Sequence, residues 1–474
     1  DTGFDPDNQA IVSNVVDTQS FRDLQEPPEH GTSVAEIVAR TAPNSQLYLA
    51  STSTGTDTEA AIDYLRRQDV DIIVHSAGFP AFEDNGNHIL TDDINTVTES
   101  GTLFVNSAGN EARTHWEGDF RDTDSDNLHE WTQSNDDETN CVGGCNTDYS
   151  GDVTVYVRWS DEGIKSNYRP ALSNPVKNEY IAVDSDGVFT TPTGTRYSQL
   201  RVEDISSQPV DLVVDHTSGP ADDEIEVIIF NGPREIQRNV PASSIVAPAD
   251  VPNALTVAAY EREPARLAPY SSRGPTDDGR NGIDVTGYTN IEITNGFYSG
   301  GVFGGTSAAA PYVGGVAALI KKSQSENQSP TEVIRILKSS SDDIRDVDID
   351  VASGSGVVNA TNAIDETKIS PELAASASAV TIDPTDTNVT VVAFKVTNAG
   401  EESQQAVVNI SESSVPQGLR LEGVSGADPT SPDQFAVITN QEQASVTFSD
   451  IPPDETVTAT ASVAPTDSAT EATV

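Results

Sequence analysis

The apolar positions of the chain follow two rhythms. Through the first hundred residues, and again after residue 250, short apolar blocks alternate with runs spaced three and four apart. Val34, Ala35, Ile37 and Val38 predict a helix over 30–40, and Ala61, Ile62 and Leu65 another over 58–67. Around them 46–50, 70–75 (Val70, Ile72, Ile73, Val74) and 102–106 read as buried strands, with a further helix over 91–100. The block 254–259 resumes the alternation, and Val333, Ile334, Ile336 and Leu337 place a helix over 330–338. This βαβα order predicts an α/β fold with a doubly wound parallel sheet and a site at the carboxyl ends of its strands.

Residues 112–250 change pattern. A polar, acidic stretch over 119–139 gives way to strand-like runs at 153–157, 180–183, 210–214 and 225–229, divided by turn signals such as Asp186-Gly187 and Asn231-Gly232. They predict an inserted β-sandwich. After 367 the chain turns to serine, threonine, valine and alanine with strand alternation, as in Val389 to Val396, which predicts a second β-sandwich. Three domains result: 1–111 with 251–366, 112–250, and 371–474. A length of 474 residues is in keeping with two or three domains.

One helix is unlike the others. After Gly304-Gly305 comes Thr306-Ser307-Ala308-Ala309-Ala310-Pro311, with the proline expected in the first helical turn. Val313, Val316, Ala317, Leu319 and Ile320 leave almost no polar face, so the helix is buried. Gly314 and Gly315 inside it cost about 1 kcal/mol each against alanine, which makes sense where another backbone passes close by. Ser307 at its amino end is either an N-cap or a nucleophile favoured by the helix dipole and free N–H groups. A nucleophile needs a base, an orienting acid and an oxyanion hole. Among His30, His75, His88, His115, His129 and His216, only His30 opens a helix in a Gly-Thr context. His75 ends a buried strand and reads as a wall of the cleft.

Charge and cysteine content narrow the setting. The net charge is −49, acidic residues are spread along the whole chain, and lysine is scarce. This style resembles the proteins of halophilic archaea. Such a surface repels itself at low salt and is screened at molar salt, where the Debye length falls to about 3 Å. The same charge disfavours nucleic acid as a partner. Cys141 and Cys145, in Cys-Val-Gly-Gly-Cys, lack the neighbouring ligands a metal site requires and read as a small disulfide loop, which suggests an oxidising, extracellular location. With no apolar stretch near 18 residues, no membrane span is expected, and the chain is expected to be a monomer. Asp122, Asp124 and Asp126 mimic the start of a calcium loop. Asn127 and Gln133, however, stand where glycine and a bidentate glutamate belong, so surface acidity is the simpler reading. No cofactor or metal is expected beyond a structural calcium there.

Four stretches carry a family resemblance: Asp1-Thr2-Gly3, His30-Gly31-Thr32-Ser33-Val34-Ala35, Asn106-Ser107-Ala108-Gly109-Asn110 and Gly305-Thr306-Ser307-Ala308-Ala309-Ala310-Pro311. In order and context they resemble the signatures of the subtilisin-like serine proteases, over 1–111 and about 251–366. The resemblance implies that Ser307 attacks the peptide carbonyl, His30 is the base, Asp1 holds the imidazole, and Asn110 donates to the oxyanion. It implies that Ser76-Ala77-Gly78 and Ser107-Ala108-Gly109 pair with substrate and line its first pocket, and that Ser271 to Pro275 supports the site. Ser33 and Glu36 depart from the pattern at positions without chemistry. Family members place the acid at the end of a buried strand, so an apolar strand and a cleaved propeptide are expected upstream. As a bare end residue, Asp1 is expected to fray. The insert, through Val155 to Asp161, resembles sandwiches of secreted peptidases, and the tail resembles Ig-like domains.

The function expected is a secreted serine endopeptidase acting on polypeptides. The alternative is an inactive scaffold serving in extracellular binding or adhesion. An α/β-hydrolase is disfavoured because the serine lacks a Gly-x-Ser-x-Gly context, and acid-active relatives with a Glu–Asp pair are disfavoured by His30 and Asn110.

Overall fold

Four parallel strands carry the first unit of this computed structural model. They are β3 (Ile72–His75), β4 (Leu103–Ser107), and the strands Leu255–Glu261 and Val285–Tyr288, paired in that order. The register sets His75 beside Asn106 and Val257 beside Val285. Successive side chains point to opposite faces. Leu103 and Val105 therefore enter one core and Phe104 the other. On the first face lie α4 (Thr306–Ser323) and α5 (Pro330–Ser339), through Val313, Val316, Ile320, Val333 and Ile336. On the second lie α2 (Gly55–Arg67) and α3 (Thr91–Glu99), through Ile62, Ile94 and Val97. Helices on both faces of a parallel sheet give the expected α/β arrangement. The structure describes residues 1–22, 27–132, 137–145, 147–160, 166–323, 328–344 and 351–368, and beyond them the strands between 373 and 473.

Local chemistry accounts for the helix ends. Thr54 and Asp57 form a reciprocal capping box at α2. Ser329 caps α5 with Pro330 at its first position. The glycines of α4 sit where close approach demands them. A Cβ on Gly314 would lie 2.5 Å from Val74 Cγ2, and one on Gly315 2.5 Å from Thr41 Cβ, on α1 (Glu29–Thr41).

β1 (Val15–Ser20) and β2 (Leu47–Ser51) form a separate parallel pair. A cavity of about 610 Å³ separates β2 from β3. Its walls include Val34, Val38, Leu49, Ile72, Val74 and Ala318. The sequence pattern does not announce β1, because its residues after Asn14 are almost all exposed.

The segment after Ala112 builds two antiparallel sheets. One pairs Phe189–Thr190, Arg196–Gln208, Tyr149–Trp159, Glu224–Asn231 and His115–Asp119; the other pairs Asn140–Cys141, Asp211–Ser218, Asn167–Asn174 and Glu179–Val183. Val153, Val155, Val157 and Trp159 from the first meet Tyr168, Leu172, Leu212 and Val214 from the second in one buried cluster. Residues 368–474 form a second compact unit of antiparallel strands, ordered Leu373–Ala377, Thr390–Asn398, Thr456–Pro465 and Leu419–Ala427 in its largest sheet. The connections that would define an Ig-like topology there lie outside the described residues.

Candidate active site

Two helix starts and two strand ends converge at the carboxyl edge of the sheet. His30 is the second residue of α1 and Ser307 the second of α4. Val34 and Ile37 of α1 pack with Ala308 of α4 and with Phe303. The His30 ring meets Phe303 edge-on, with centroids 5.1 Å apart. Ser307 is 9 % exposed. No hydrogen bond joins His30 to Ser307 among the described residues; such bonds commonly tighten only around substrate.

Asp1 does not fray. Its backbone nitrogen donates to the Ala50 carbonyl at 3.2 Å, and Thr52 N–H donates to the Asp1 carbonyl at 2.8 Å. This is the slanted ladder of a parallel strand pair, so Asp1 occupies a strand position beside β2, at the edge of the cavity. The Thr2 carbonyl accepts from Arg22. Gly31 lets the chain cross α1 closely, since a Cβ there would lie 2.9 Å from Phe4 Cε1. Held in this way, the Asp1 carboxylate stands 2.9 and 3.1 Å from His30 Nδ1. Burial pushes His30 down to about 4, so the imidazole is neutral at pH 7 and free to take a proton.

The serine turn is fixed from several sides. Gly305 has φ +84°, a conformation open to glycine. Its N–H donates to the Tyr270 hydroxyl at 3.2 Å, and its carbonyl accepts from Thr289 Oγ1 at 3.0 Å. Asn110 Oδ1 accepts from Thr306 N–H at 2.9 Å and Thr306 Oγ1 at 3.2 Å. The exposed Asn110 thus presents its amino group outward, with no partner for it among the described residues. Pro311 sits in the second turn of α4, not the first as expected. Its missing N–H would have met the Ser307 carbonyl, and Ser76 Oγ donates to that oxygen instead, at 3.5 Å.

The expected substrate segments differ in availability. Ala77 and Gly78 are half-buried beyond β3, and a Cβ on Gly78 would lie 2.8 Å from Val246 Cγ1. Ser107 is buried at the end of β4, and Gly109 is half-buried with φ +109°. Ala108 is fully buried, with its N–H donating to Val257 and its carbonyl accepting from Val246. His75 lines the cavity between β2 and β3. It is buried, its Nδ1 lies 2.6 Å from Asn106 Oδ1, and burial holds it down to about 3.

Ser33, Glu36 and Ser272 support the site through partners far along the chain. Glu36 is fully buried, and its carboxylate accepts from Thr294 N–H (2.6 Å), Thr294 Oγ1 (2.8 Å) and Asn295 N–H (3.0 Å). Ser33 Oγ accepts from Asn295 Nδ2 at 2.8 Å. The two departures from the family pattern thus tie α1 to the loop that leads back to Phe303. Ser272 N–H donates to the Gly109 carbonyl at 3.1 Å, which gives the 271–275 stretch its place behind the site.

Farther away, Cys141 and Cys145 are joined as a disulfide. Asp122, Asp124 and Asp126 bring oxygens within 4.8 Å of one another. Asp122 there accepts the N–H groups of Ser125 (2.7 Å), Asp126 (3.2 Å) and Asn127 (3.0 Å) within its own turn. Gln133 lies outside the described residues. No helix among the described residues is long and apolar enough to cross a membrane.

A parallel sheet with a serine at a buried helix start, a neutral imidazole backed by a carboxylate, and an outward amide defines a protein of the serine-hydrolase class. The chain belongs to the subtilase family (peptidase S8), whose sequence profile matches residues 1–208 and 237–356. Its fold is shared by the CspB protease of Clostridium perfringens, 15 % identical over 78 % of this chain and 93 % of that one, with a TM-score of 0.52. The prenylagaramide maturation protease PagA is 15 % identical over 77 % and 91 %, with a TM-score of 0.42. At such identities the likeness concerns the fold alone. No curated protein sequence matches the chain.

Proposed function

We propose that this subtilase is a secreted, salt-adapted serine endopeptidase acting through an acyl-enzyme. The observation that carries the reading is the Asp1 carboxylate 2.9 Å from His30 Nδ1, on an imidazole that is neutral at pH 7. Ser307 Oγ attacks the peptide carbonyl while His30 Nε2 takes its proton, and Asp1 holds the tautomer and steadies the imidazolium. The negative charge on the former carbonyl oxygen meets the Asn110 amino group and the amino end of α4. Collapse breaks the C–N bond, His30 returns its proton to the leaving amine, and water then releases the acid by the same route. Ser76 to Gly78 and Ser107 to Gly109 flank the bound polypeptide.

The strand-sized cavity between β2 and β3, with Asp1 already in ladder register, supports the reading that an apolar strand enters there from upstream, after a propeptide that is removed. The disulfide and the dispersed acidity support an extracellular, salt-rich setting. No cofactor takes part; a structural calcium would sit at Asp122, Asp124 and Asp126. The insert behaves as a β-sandwich and 371–474 as an Ig-like domain, in a monomer.

The test is casein hydrolysis in molar salt by a chain extended upstream through that strand, beside Ser307→Ala. The first should cleave and react with a fluorophosphonate probe, and the second should do neither. Equal activity of the two would end the proposal.

A further inference from the structure

Behind the outward face of Asn110 lies a carboxylate that the reaction does not touch. Glu111 is 3 % exposed. Its Oε2 accepts the backbone N–H of Asn110, and also the Ser272 hydroxyl at 3.1 Å. The N–H of Glu111 donates to that same hydroxyl oxygen at 2.9 Å. With Ser272 N–H on the Gly109 carbonyl, one carboxylate and one serine hold three consecutive residues, 109 to 111, from the inside. The fit is tight: a Cβ on Gly109 would lie 2.8 Å from Ser272 Oγ and would collide with Glu111 Oε2.

Burying a carboxylate is costly unless it is well paired, and two of the donors it finds here belong to the turn that carries Asn110 and to the serine behind it. An N–H···O⁻ bond is stronger than its neutral counterpart. The ionised form therefore grips the turn, and a protonated or amide side chain grips it less.

We infer that Glu111 is a positioning residue: its ionised carboxylate sets the 109–111 turn so that the Asn110 amide faces Ser307, and protonation loosens that turn. This rests on the peptidase reading for its catalytic consequence, though not for the clamp itself. Burial pushes the Glu111 carboxyl up to about 7, against the hydroxyl of Ser272, the N–H of Asn110 and the charge of His115. His115, from the strand His115–Asp119, is itself paired with Glu226 at 3.0 Å. From the segment 244–246, Val246 packs beside Gly109. A folded value above the unfolded one means that ionised Glu111 opposes folding as pH rises through about 7. The group thus trades stability for placement of the oxyanion donor.

The experiment follows the Asn110 backbone amide by NMR in protein labelled with ¹⁵N-asparagine, from pH 5 to 9, alongside peptide cleavage in molar salt. In the parent chain the amide signal should move with a midpoint near the value of Glu111. In Glu111→Gln it should stay at its low-pH position. The same variant should melt no lower than the parent at pH 9, yet turn over about 10–100-fold more slowly with KM nearly unchanged, the scale of a misplaced catalytic group. Ser272→Ala removes one donor to the carboxylate and should raise the midpoint. An Asn110 amide that does not titrate, that titrates equally in Glu111→Gln, or whose midpoint ignores Ser272→Ala would overturn the inference. A titrating amide in a chain that cleaves nothing would leave the clamp standing and remove the peptidase reading.

Discussion

Replacing Arg158 by leucine tests what joins the inserted sheets to the α/β layers. Arg158 lies on the strand Tyr149–Trp159 and is 2 % exposed. Its guanidinium donates to Glu226 and to the Phe82 carbonyl, and stands 3.3 Å from Asp84 Oδ1. Phe82 and Asp84 belong to the loop after β3, so a single side chain crosses from one core to the other. Breaking a buried pair by removing one partner costs about 3–5 kcal/mol. Glu226 would keep His115, which argues for the lower end. For a unit spanning Asp1–Thr367, about 3 kcal/mol lowers the melting midpoint by about 4 °C.

The pH dependence of that loss follows from the carboxylates. Burial pushes Glu226 up, but Arg158 and His115 outweigh it and hold it below its ordinary value. Its stabilisation is therefore present above the unfolded value and fades as pH falls through the folded one. Burial already pushes Asp84 well up despite Arg158. Without the guanidinium both carboxyls rise, and each then disfavours folding as pH increases. The deficit of Arg158→Leu should be larger at pH 8 than at pH 5. The three tryptophans, Trp116, Trp131 and Trp159, all pack in or against the core of the inserted sheets. Intrinsic fluorescence in molar salt therefore reports the relevant melting. A midpoint unchanged within 2 °C, or a deficit equal at both pH values, would refute the electrostatic account.

Three further outcomes are expected. Asn110→Ala should lower kcat by about 10²–10³ with KM little changed, the scale known for the oxyanion-hole asparagine of a subtilisin; initial rates on a peptide substrate check it. Gly314→Ala drives a methyl to 2.5 Å from Val74 Cγ2 and should destabilise by about 1–3 kcal/mol, read from thermal melts. Transfer from 1 M to 0.1 M salt lengthens the Debye length from about 3 to about 10 Å. With a net charge of −49, the melting midpoint should fall, whereas adding an uncharged osmolyte of equal osmolarity should not reproduce the effect of the salt.

What the sequence made legible depended on how local the cause was. The alternation around Val74 and Phe104 follows from neighbours a few residues away and reads correctly, whereas the glycines of α4 meet the distant side chains of Val74 and Thr41 where the sequence suggests a passing backbone. Asn167–Asn174 and Arg196–Gln208 did not read as strands. Pro170 and the surrounding asparagines and serines blur the first, and register shifts between Val202, Ile205 and Gln208 break the period of the second. Glu36 and Glu111 were illegible for another reason. Their partners, Thr294 and Ser272, lie more than 150 positions away, and only the fold makes those carboxylates useful. Asp1 is held where the sequence predicts fraying, because its anchors are the backbone groups of Ala50 and Thr52, which carry no side-chain signature.

That anchoring has a thermal consequence. Asp1 leans on β2, whose strand partner is the exposed β1, while the 610 Å³ gap parts this pair from the main sheet. A strand pair whose outer member is exposed and whose inner one rests on two small clusters, around Leu49 and Ala50, opens locally before the global transition. Such opening would withdraw the carboxylate from His30 while the clusters on the main sheet stayed intact. Heating should therefore silence the imidazole pair before it melts the protein. Closing the gap with a strand would join the two sheets and bring the temperature of inactivation up to that of unfolding.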